Sequence, residues 1–340
     1  MNLQRLVMLV VALALASLTP AFAHEVRPAL LQLTENDSGG YEAVFKQPVV
    51  GELAIRLEPR LSGGALDGPV TAETVTDAYR IRTWRAPPGS TPLNGQTLTI
   101  VGLERSVTDV LVRATTRSGE QIDAVVRPSE PTLLLELEGS RGVAVPAYLS
   151  MGVEHILTGA DHLMFVLGLL IWVGLNGRLV KAVTAFTVAH SITLALAALD
   201  LVRFDSDAIE ALVALSLVFL ALELLRSGPG GAGRRPWMLA FAFGLLHGLA
   251  FAGLLAEVGL PEGAVVPALF MFNLGVEIGQ LLFIVTAAAL LAGLRSALRR
   301  RAGHGERPVR VGLAYAIGGV ASFWFLERLV AATSTSAAVA

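Results

Sequence analysis

The hydrophobic pattern divides the chain into two parts. Beyond Pro146 come apolar segments of about 20 residues, each long enough to cross a bilayer. There are six of them, near 147–175, 180–200, 208–226, 237–257, 264–293 and 310–332. The pattern predicts an all-α membrane bundle of six helices over residues 146–333, followed by a short tail at 334–340 outside the cytoplasm.

Residues 24–141 show a different pattern, in which short runs alternate between apolar and polar positions. Turn-forming residues separate the runs, as at Asp37-Ser38-Gly39-Gly40 and Pro87-Pro88-Gly89. This spacing is typical of a small antiparallel β-sandwich. The predicted strands lie at 30–33, 41–45, 53–57, 97–100, 110–112, 122–126 and 133–137.

The first 23 residues have the pattern of a signal peptide. Arg5 provides positive charge, Leu6 to Leu18 form an apolar run, and Ala21-Phe22-Ala23 resembles a cleavage site. Cleavage there would make His24 the first residue of an exported β-domain. The alternative is an uncleaved N-terminal anchor.

The charges of the connecting loops predict the orientation. Lysine and arginine concentrate in the first, third and fifth loops between the apolar segments, whereas the second and fourth loops carry mostly acids. Positive loops remain in the cytoplasm. We therefore expect a multi-pass protein of the bacterial inner (plasma) membrane, with its N-terminal domain and C-terminus in the periplasm.

The composition limits which partners and which metal ligands are possible. The chain is 54% hydrophobic, has a net charge of −2 and contains no cysteine. With no basic patch, nucleic acid is not an expected partner, whereas the lipid bilayer is. Any metal must be bound through nitrogen and oxygen, because thiolates are absent. No phosphate-binding loop is present, so we do not expect ATP to be the direct energy source within this chain.

Ionisable and amide side chains within the apolar segments are the candidate functional residues, since burying a charge in a bilayer is costly. Imidazole and carboxylate groups are ligands for Ni²⁺, Co²⁺, Zn²⁺ and Cu²⁺. The pattern favours a metal pathway over structural hydrogen bonds between helices, which are the alternative for any single histidine. The candidates are His155, Asp161, His162, His190, His247, Asn273 and Glu277. His24 is a further candidate, because a terminal amino group and an imidazole together form a chelate.

The spacing of the first two histidines poses a geometric problem. His155 and His162 lie on nearly the same face but about 10 Å apart along an ideal helix, with His155 outward of the midplane and His162 inward. Either the helix is distorted at Gly159, or the two residues belong to two successive binding sites along the pathway. Glycines flank His247 and Glu277 at four-residue spacing, which favours close approach of neighbouring helices.

At these residues the chain resembles the HupE/UreJ family of nickel and cobalt permeases, in the branch with a large exported N-terminal domain. The resemblance rests on four stretches and on the start of the predicted mature chain: 155–162, 186–191, 243–248, 272–277 and 24–28. It implies uptake of a divalent transition metal, nickel or cobalt before copper or zinc, with the candidate residues as ligands. It implies neither an enzyme nor a bound cofactor.

Two other functions remain open from the residues themselves. A membrane-embedded hydrolase would use the same histidines to hold zinc and activate water, assisted by Ser191 or Glu277. A metal sensor would use the β-domain to signal to a partner.

Overall fold

The structure is a computed structural model that describes residues 28–49, 57–76, 79–106, 108–137, 145–199, 201–202, 206–226, 235–258, 265–302 and 307–339. These residues divide into a β-rich unit and a helical unit. The predicted signal peptide, His24 and the predicted strand residues 53–56 lie outside the described residues.

The β-rich unit contains two sheets. The strands are β1 (Ala29–Glu35), β2 (Tyr41–Pro48), β3 (Glu58–Leu61), β4 (Ala72–Val75), β5 (Tyr79–Ala86), β6 (Thr97–Val101), β7 (Val110–Thr115), β8 (Gln121–Val126) and β9 (Thr132–Leu134). One sheet has the order β4-β5-β2-β1-β7-β8, and the other has the order β3-β6-β9. Side chains of both sheets, such as Phe45 and Ile100, belong to one hydrophobic core.

The expectation of a purely antiparallel sandwich is wrong. β1 pairs antiparallel with β2 but parallel with β7, with Leu31 opposite Val112. Local alternation of apolar residues reveals that a strand exists but carries no information on the direction of its neighbours, so this pairing could not be read from the pattern.

β5 was not predicted, because arginines occupy several of its positions. Arg82 is only 5% exposed, and its guanidinium lies 5.4 Å from the ring centroids of both Phe45 and Trp84. It also donates a hydrogen bond to the Leu57 carbonyl oxygen. A charged residue that packs against aromatic rings in this way breaks the polar-out rule on which strand prediction depends.

The helical unit contains more helices than the predicted six. The described residues form seven: α1 (Val145–Thr158), α2 (Ala160–Val173), α3 (Gly177–Ala198), α4 (Ser206–Arg226), α5 (Pro236–Val258), α6 (Val265–Ala302) and α7 (Arg307–Val339). The six-helix count is therefore not confirmed. α7 continues into residues 334–339, which were expected to be a tail.

Among the described residues, four helices of this unit are long and apolar enough to cross a membrane. They are Gly177–Ala198, Ala208–Arg226, Val265–Gly293 and Arg310–Val330. α1 and α2 together make a fifth candidate, bent by 72°. Within α5, Pro236–Ala250 is a shorter apolar helix. Large apolar side chains such as Val188 and Ile192 point outward, as expected for helices that face lipid.

Contacts between helices give their relative directions. Gly275 and Gly279 of α6 lie against Leu149 and Val153 of α1, so α1 and α6 run the same way. The same reasoning makes α3 and α5 parallel, because Gly244 lies against Phe186 and Gly248 against His190.

α4 and α7 run in opposite directions. Glu210, near the start of α4, pairs with Arg328, near the end of the α7 span, with Nε and Oε2 3.3 Å apart. Farther along, Gly318 of α7 lies against Ala221 of α4. All three relative directions agree with successive segments that cross the membrane alternately.

Candidate functional site: a buried histidine cluster

The first predicted span breaks at Gly159. Its φ of −72° and ψ of 99° leave the helical region, and the chain bends by 72° between α1 and α2. A Cβ at this position would lie 2.8 Å from the His162 Nδ1 atom and 2.9 Å from the His155 carbonyl oxygen. Glycine is therefore required here by the close approach of neighbouring atoms and not by its φ angle.

The break brings together histidines that an ideal helix would keep apart. The ring centroids of His155 and His162 are 4.7 Å apart. His247 of α5 is 5.0 Å from His162, and His190 of α3 is 5.9 Å from both His155 and His162. The distortion at Gly159 is thus the alternative that the structure adopts, and four helices contribute to one cluster.

Asp161 fixes the orientation of His162. Its Oδ1 atom accepts hydrogen bonds from the His162 backbone N–H, at 2.8 Å, and from His162 Nδ1, at 2.9 Å. A carboxylate only accepts, so Nδ1 carries the hydrogen and Nε2 retains the lone pair. The carboxylate also takes the place of a capping side chain at the start of α2, where Gly159 offers none.

Three side chains lie close enough to share one ion. Asp161, His162 and His247 each offer a ligand atom, and these atoms lie within 4.8 Å of one another. Among the residues that the structure describes, these three form the one group of histidines and acids whose ligand atoms lie this close together. Two atoms bonded to one ion at about 2.0–2.2 Å lie at most about 4.4 Å apart, so the three ligand atoms need to approach one another by only a few tenths of an ångström to share an ion.

His190 and His247 have nitrogens with no hydrogen-bond partner among the described residues. They are both ring nitrogens of His190, whose side chain is 0% exposed, and the Nδ1 atom of His247, which is 1% exposed. Buried polar groups in proteins are nearly always hydrogen-bonded, so exceptions require an explanation. Binding of a cation by these lone pairs would provide one.

The other nitrogen of His247 contacts α4. Its Nε2 atom lies 3.3 Å from the Ser216 hydroxyl oxygen. That hydroxyl is also 2.7 Å from the Val213 carbonyl oxygen. A fifth helix thus reaches the cluster.

Aromatic rings surround the cluster. The Phe186 ring centroid is 5.2 Å from that of His247 and 6.1 Å from those of His162 and His190. Phe165 contacts His247, and Phe272 contacts His155, each with 5.5 Å between centroids. An apolar wall lowers the local dielectric and therefore strengthens every ion–ligand interaction inside it.

Small residues allow the helices that carry the histidines to pack closely. A Cβ at Gly248, next to His247, would collide with the His190 carbonyl oxygen and with the Thr193 hydroxyl. Gly152 of α1 lies equally close to the Phe272 carbonyl oxygen of α6. The predicted role of glycines in close helix approach is therefore visible at the site itself.

Glu277 and Asn273 are not part of the three-residue group of ligand atoms. Glu277 Oε1 accepts a hydrogen bond of 2.7 Å from Thr184 of α3, and one turn farther along Thr187 lies 2.8 Å from Gln280. Asn273 donates to the Leu269 carbonyl oxygen of its own helix. Glu277 and Gln280 thus make polar contacts between α3 and α6, and Asn273 lies one turn before Glu277 on α6.

Ser216, Thr184 and Thr187 were not among the predicted site residues. Each is a hydroxyl residue within an apolar segment, and such residues usually bond to their own helix. Their position in a membrane segment was visible in the sequence, but their partners on other helices were not.

A family model described as HupE / UreJ protein matches residues 133–328, which is more than half of the 340-residue chain. The chain belongs to the HupE/UreJ family. The matched range contains the whole histidine cluster and also Asn273 and Glu277. HupE/UreJ proteins are transporters associated with nickel and cobalt. Neither the comparison with curated proteins nor that with solved structures found a match.

Proposed function

We propose that this protein carries a divalent transition metal ion, nickel or cobalt, across the bacterial plasma membrane. His155, Asp161, His162, His190 and His247 would bind the ion during passage. The observation that carries the proposal is the group of ligand atoms from Asp161, His162 and His247, which lie within 4.8 Å of one another, with both histidines buried and Asp161 partly buried.

The donor set suits such an ion. Neutral imidazole nitrogens and one carboxylate oxygen match the ligand preference of Ni²⁺ and Co²⁺, whereas Mg²⁺ and Ca²⁺ prefer oxygen alone. His155 and His190, whose rings lie within 5.9 Å of His162, would exchange with the first ligands as the ion moves. Stepwise exchange avoids stripping the ion of all ligands at once.

Glu277 and Asn273 would act at a later step, on the α3–α6 contact. The Glu277 Oε2 atom has no hydrogen-bond partner among the described residues, which leaves a carboxylate oxygen for a passing cation. A negative charge there would offset part of the ion's charge in a low-dielectric surrounding.

The proposed direction is inward. The loop charges and the predicted export of residues 24–141 would place the β-domain, and His24 if it is the mature N-terminus, on the side from which the metal arrives. The relative directions of α1, α3, α4, α5, α6 and α7 are compatible with this orientation.

Reconstitution into liposomes tests the proposal. Vesicles that enclose a metal-sensitive dye should accumulate Ni²⁺ or Co²⁺ when they contain the wild-type protein. His162→Ala should abolish accumulation, while His304→Ala, a histidine outside the candidate set, should not change it. Wild-type vesicles that accumulate none of Ni²⁺, Co²⁺, Zn²⁺ and Cu²⁺ would overturn the proposal, and a hydrolase or a sensor would behave in this way.

A further inference from the structure

Ser216 of α4 contacts one of the two ring nitrogens of His247. Both side chains are almost fully buried, at 2% and 1% exposure. The Ser216 hydroxyl lies 2.7 Å from the Val213 carbonyl oxygen and 3.3 Å from His247 Nε2. Ser216 is therefore a bridge between its own helix, α4, and the histidine of α5.

The hydrogen positions follow from these two distances. Two oxygens at 2.7 Å require a hydrogen between them, and a carbonyl oxygen only accepts, so the hydroxyl hydrogen points at Val213. The serine has no second hydrogen to offer. It can only accept from His247, and the hydrogen of that contact therefore belongs to Nε2.

We infer that Ser216 is a positioning residue for the metal centre, because it holds His247 in the tautomer with hydrogen on Nε2 and a lone pair on Nδ1. Nδ1 is the nitrogen with no hydrogen-bond partner among the described residues. A metal-binding histidine normally donates its other N–H to a second group, which orients the ring. The use of this tautomer for metal binding rests on the proposed function.

The two histidines of the three-residue group are thus oriented in opposite senses. Asp161 accepts a hydrogen bond from Nδ1 of His162, so the lone pair of that ring lies on Nε2. Ser216 occupies Nε2 of His247, which leaves Nδ1 for the ion. The nitrogen that would bind the ion is therefore the one farther from the backbone in His162 of α2 and the one nearer to the backbone in His247 of α5.

A merely structural serine offers the control. Ser322 of α7 donates to the Gly318 carbonyl oxygen at 2.7 Å, so it makes the same kind of bond to its own helix. Ser322→Ala and Ser216→Ala each delete one such hydroxyl, but only the second deletes a histidine partner. Ser216→Thr keeps the hydroxyl and is the rescue variant.

Nitrogen NMR of the metal-free, ¹⁵N-histidine-labelled protein reads the tautomer directly, with His247 assigned by the signals lost in His247→Gln. The wild type and Ser216→Thr should show hydrogen on Nε2. Ser216→Ala should show a mixture of both tautomers, and Ser322→Ala should match the wild type. Hydrogen on Nδ1 in the wild type, or an unchanged tautomer in Ser216→Ala, would overturn the inference.

Titration with Ni²⁺ tests the consequence. Ser216→Ala should weaken binding by about 10–100-fold, the usual effect of losing a group that orients a ligand, and the loss should vanish in a His247→Gln background. Equal affinities of Ser216→Ala and Ser322→Ala would refute the positioning role. If the wild type binds none of Ni²⁺, Co²⁺, Zn²⁺ and Cu²⁺, the proposed function fails, whereas the NMR result still decides the tautomer.

Discussion

Replacing Gly159 by alanine should disable the metal centre while leaving the protein folded. The φ of −72° is open to any residue, so the backbone itself tolerates alanine. The added Cβ, however, would lie 2.8 Å from His162 Nδ1 and 2.9 Å from the His155 carbonyl oxygen. Ordinary contacts of a Cβ begin near 3.4 Å, so these groups must separate by about half an ångström.

That displacement is large for a ligand set. Binding sites need their groups held to within about 0.5 Å of the productive geometry. Alanine also favours the helix over glycine by about 0.8–1 kcal/mol, which pushes the break towards a straight helix, in which His155 and His162 are about 10 Å apart. We expect Ni²⁺ affinity to fall by at least tenfold. Overpacking should lower the free energy of unfolding by about 1–3 kcal/mol, which leaves the protein folded.

Isothermal titration with Ni²⁺ and thermal unfolding of the purified protein measure the two effects separately. Gly319→Ala in α7 is the matched control, because a Cβ there would meet nothing within 4 Å. It should keep wild-type affinity. If Gly159→Ala binds Ni²⁺ as tightly as Gly319→Ala does, the reasoning that ties the break to the ligand geometry is wrong.

Further predictions concern charge and orientation. Asp161→Asn keeps an oxygen that can accept from His162 but loses the negative charge, so metal uptake into liposomes should fall strongly at normal protein levels; unchanged uptake would mean that the charge is not needed. Glu277→Gln likewise keeps an acceptor for Thr184, and transport should fall for the same reason, whereas wild-type rates would exclude Glu277 from the pathway. Single cysteines in the three positive loops should resist membrane-impermeant thiol reagents in intact cells, and labelling from outside would contradict the proposed orientation. The three sites are Asn176, Gly230 and Gly303.

The sequence located most of the candidate residues because apolar runs make a buried histidine conspicuous. It could not decide their geometry. Counting residues along straight helices placed His155 and His162 at different depths, but the break at Gly159 bends α2 by 72° from α1 and brings the two ring centroids to 4.7 Å. Glycine at 159 was compatible with both alternatives, since a close contact with another side chain leaves no mark in a local pattern.

The features that the sequence missed depend on partners distant in the chain. Ser216 looks like any serine in an apolar helix until His247, on a different helix, is placed beside it. β5 was missed for the same reason. The buried Arg82 did not look like a core residue, because its aromatic partner Phe45 lies on another strand. Hydrophobic periodicity records which face of an element is buried and does not record what it is buried against.

The interlocked glycines restrict how the protein can move. α1 and α6 touch backbone to backbone through Gly152 and Gly275, and α3 and α5 do so through Gly244 and Gly248. Sliding the helices of either pair past each other would bring backbone atoms into collision, so we expect each pair to move as one block. His155 belongs to the first block, whereas His190 and His247 belong to the second. In the proposed transport, a rocking of one block against the other would change how many imidazoles surround the ion.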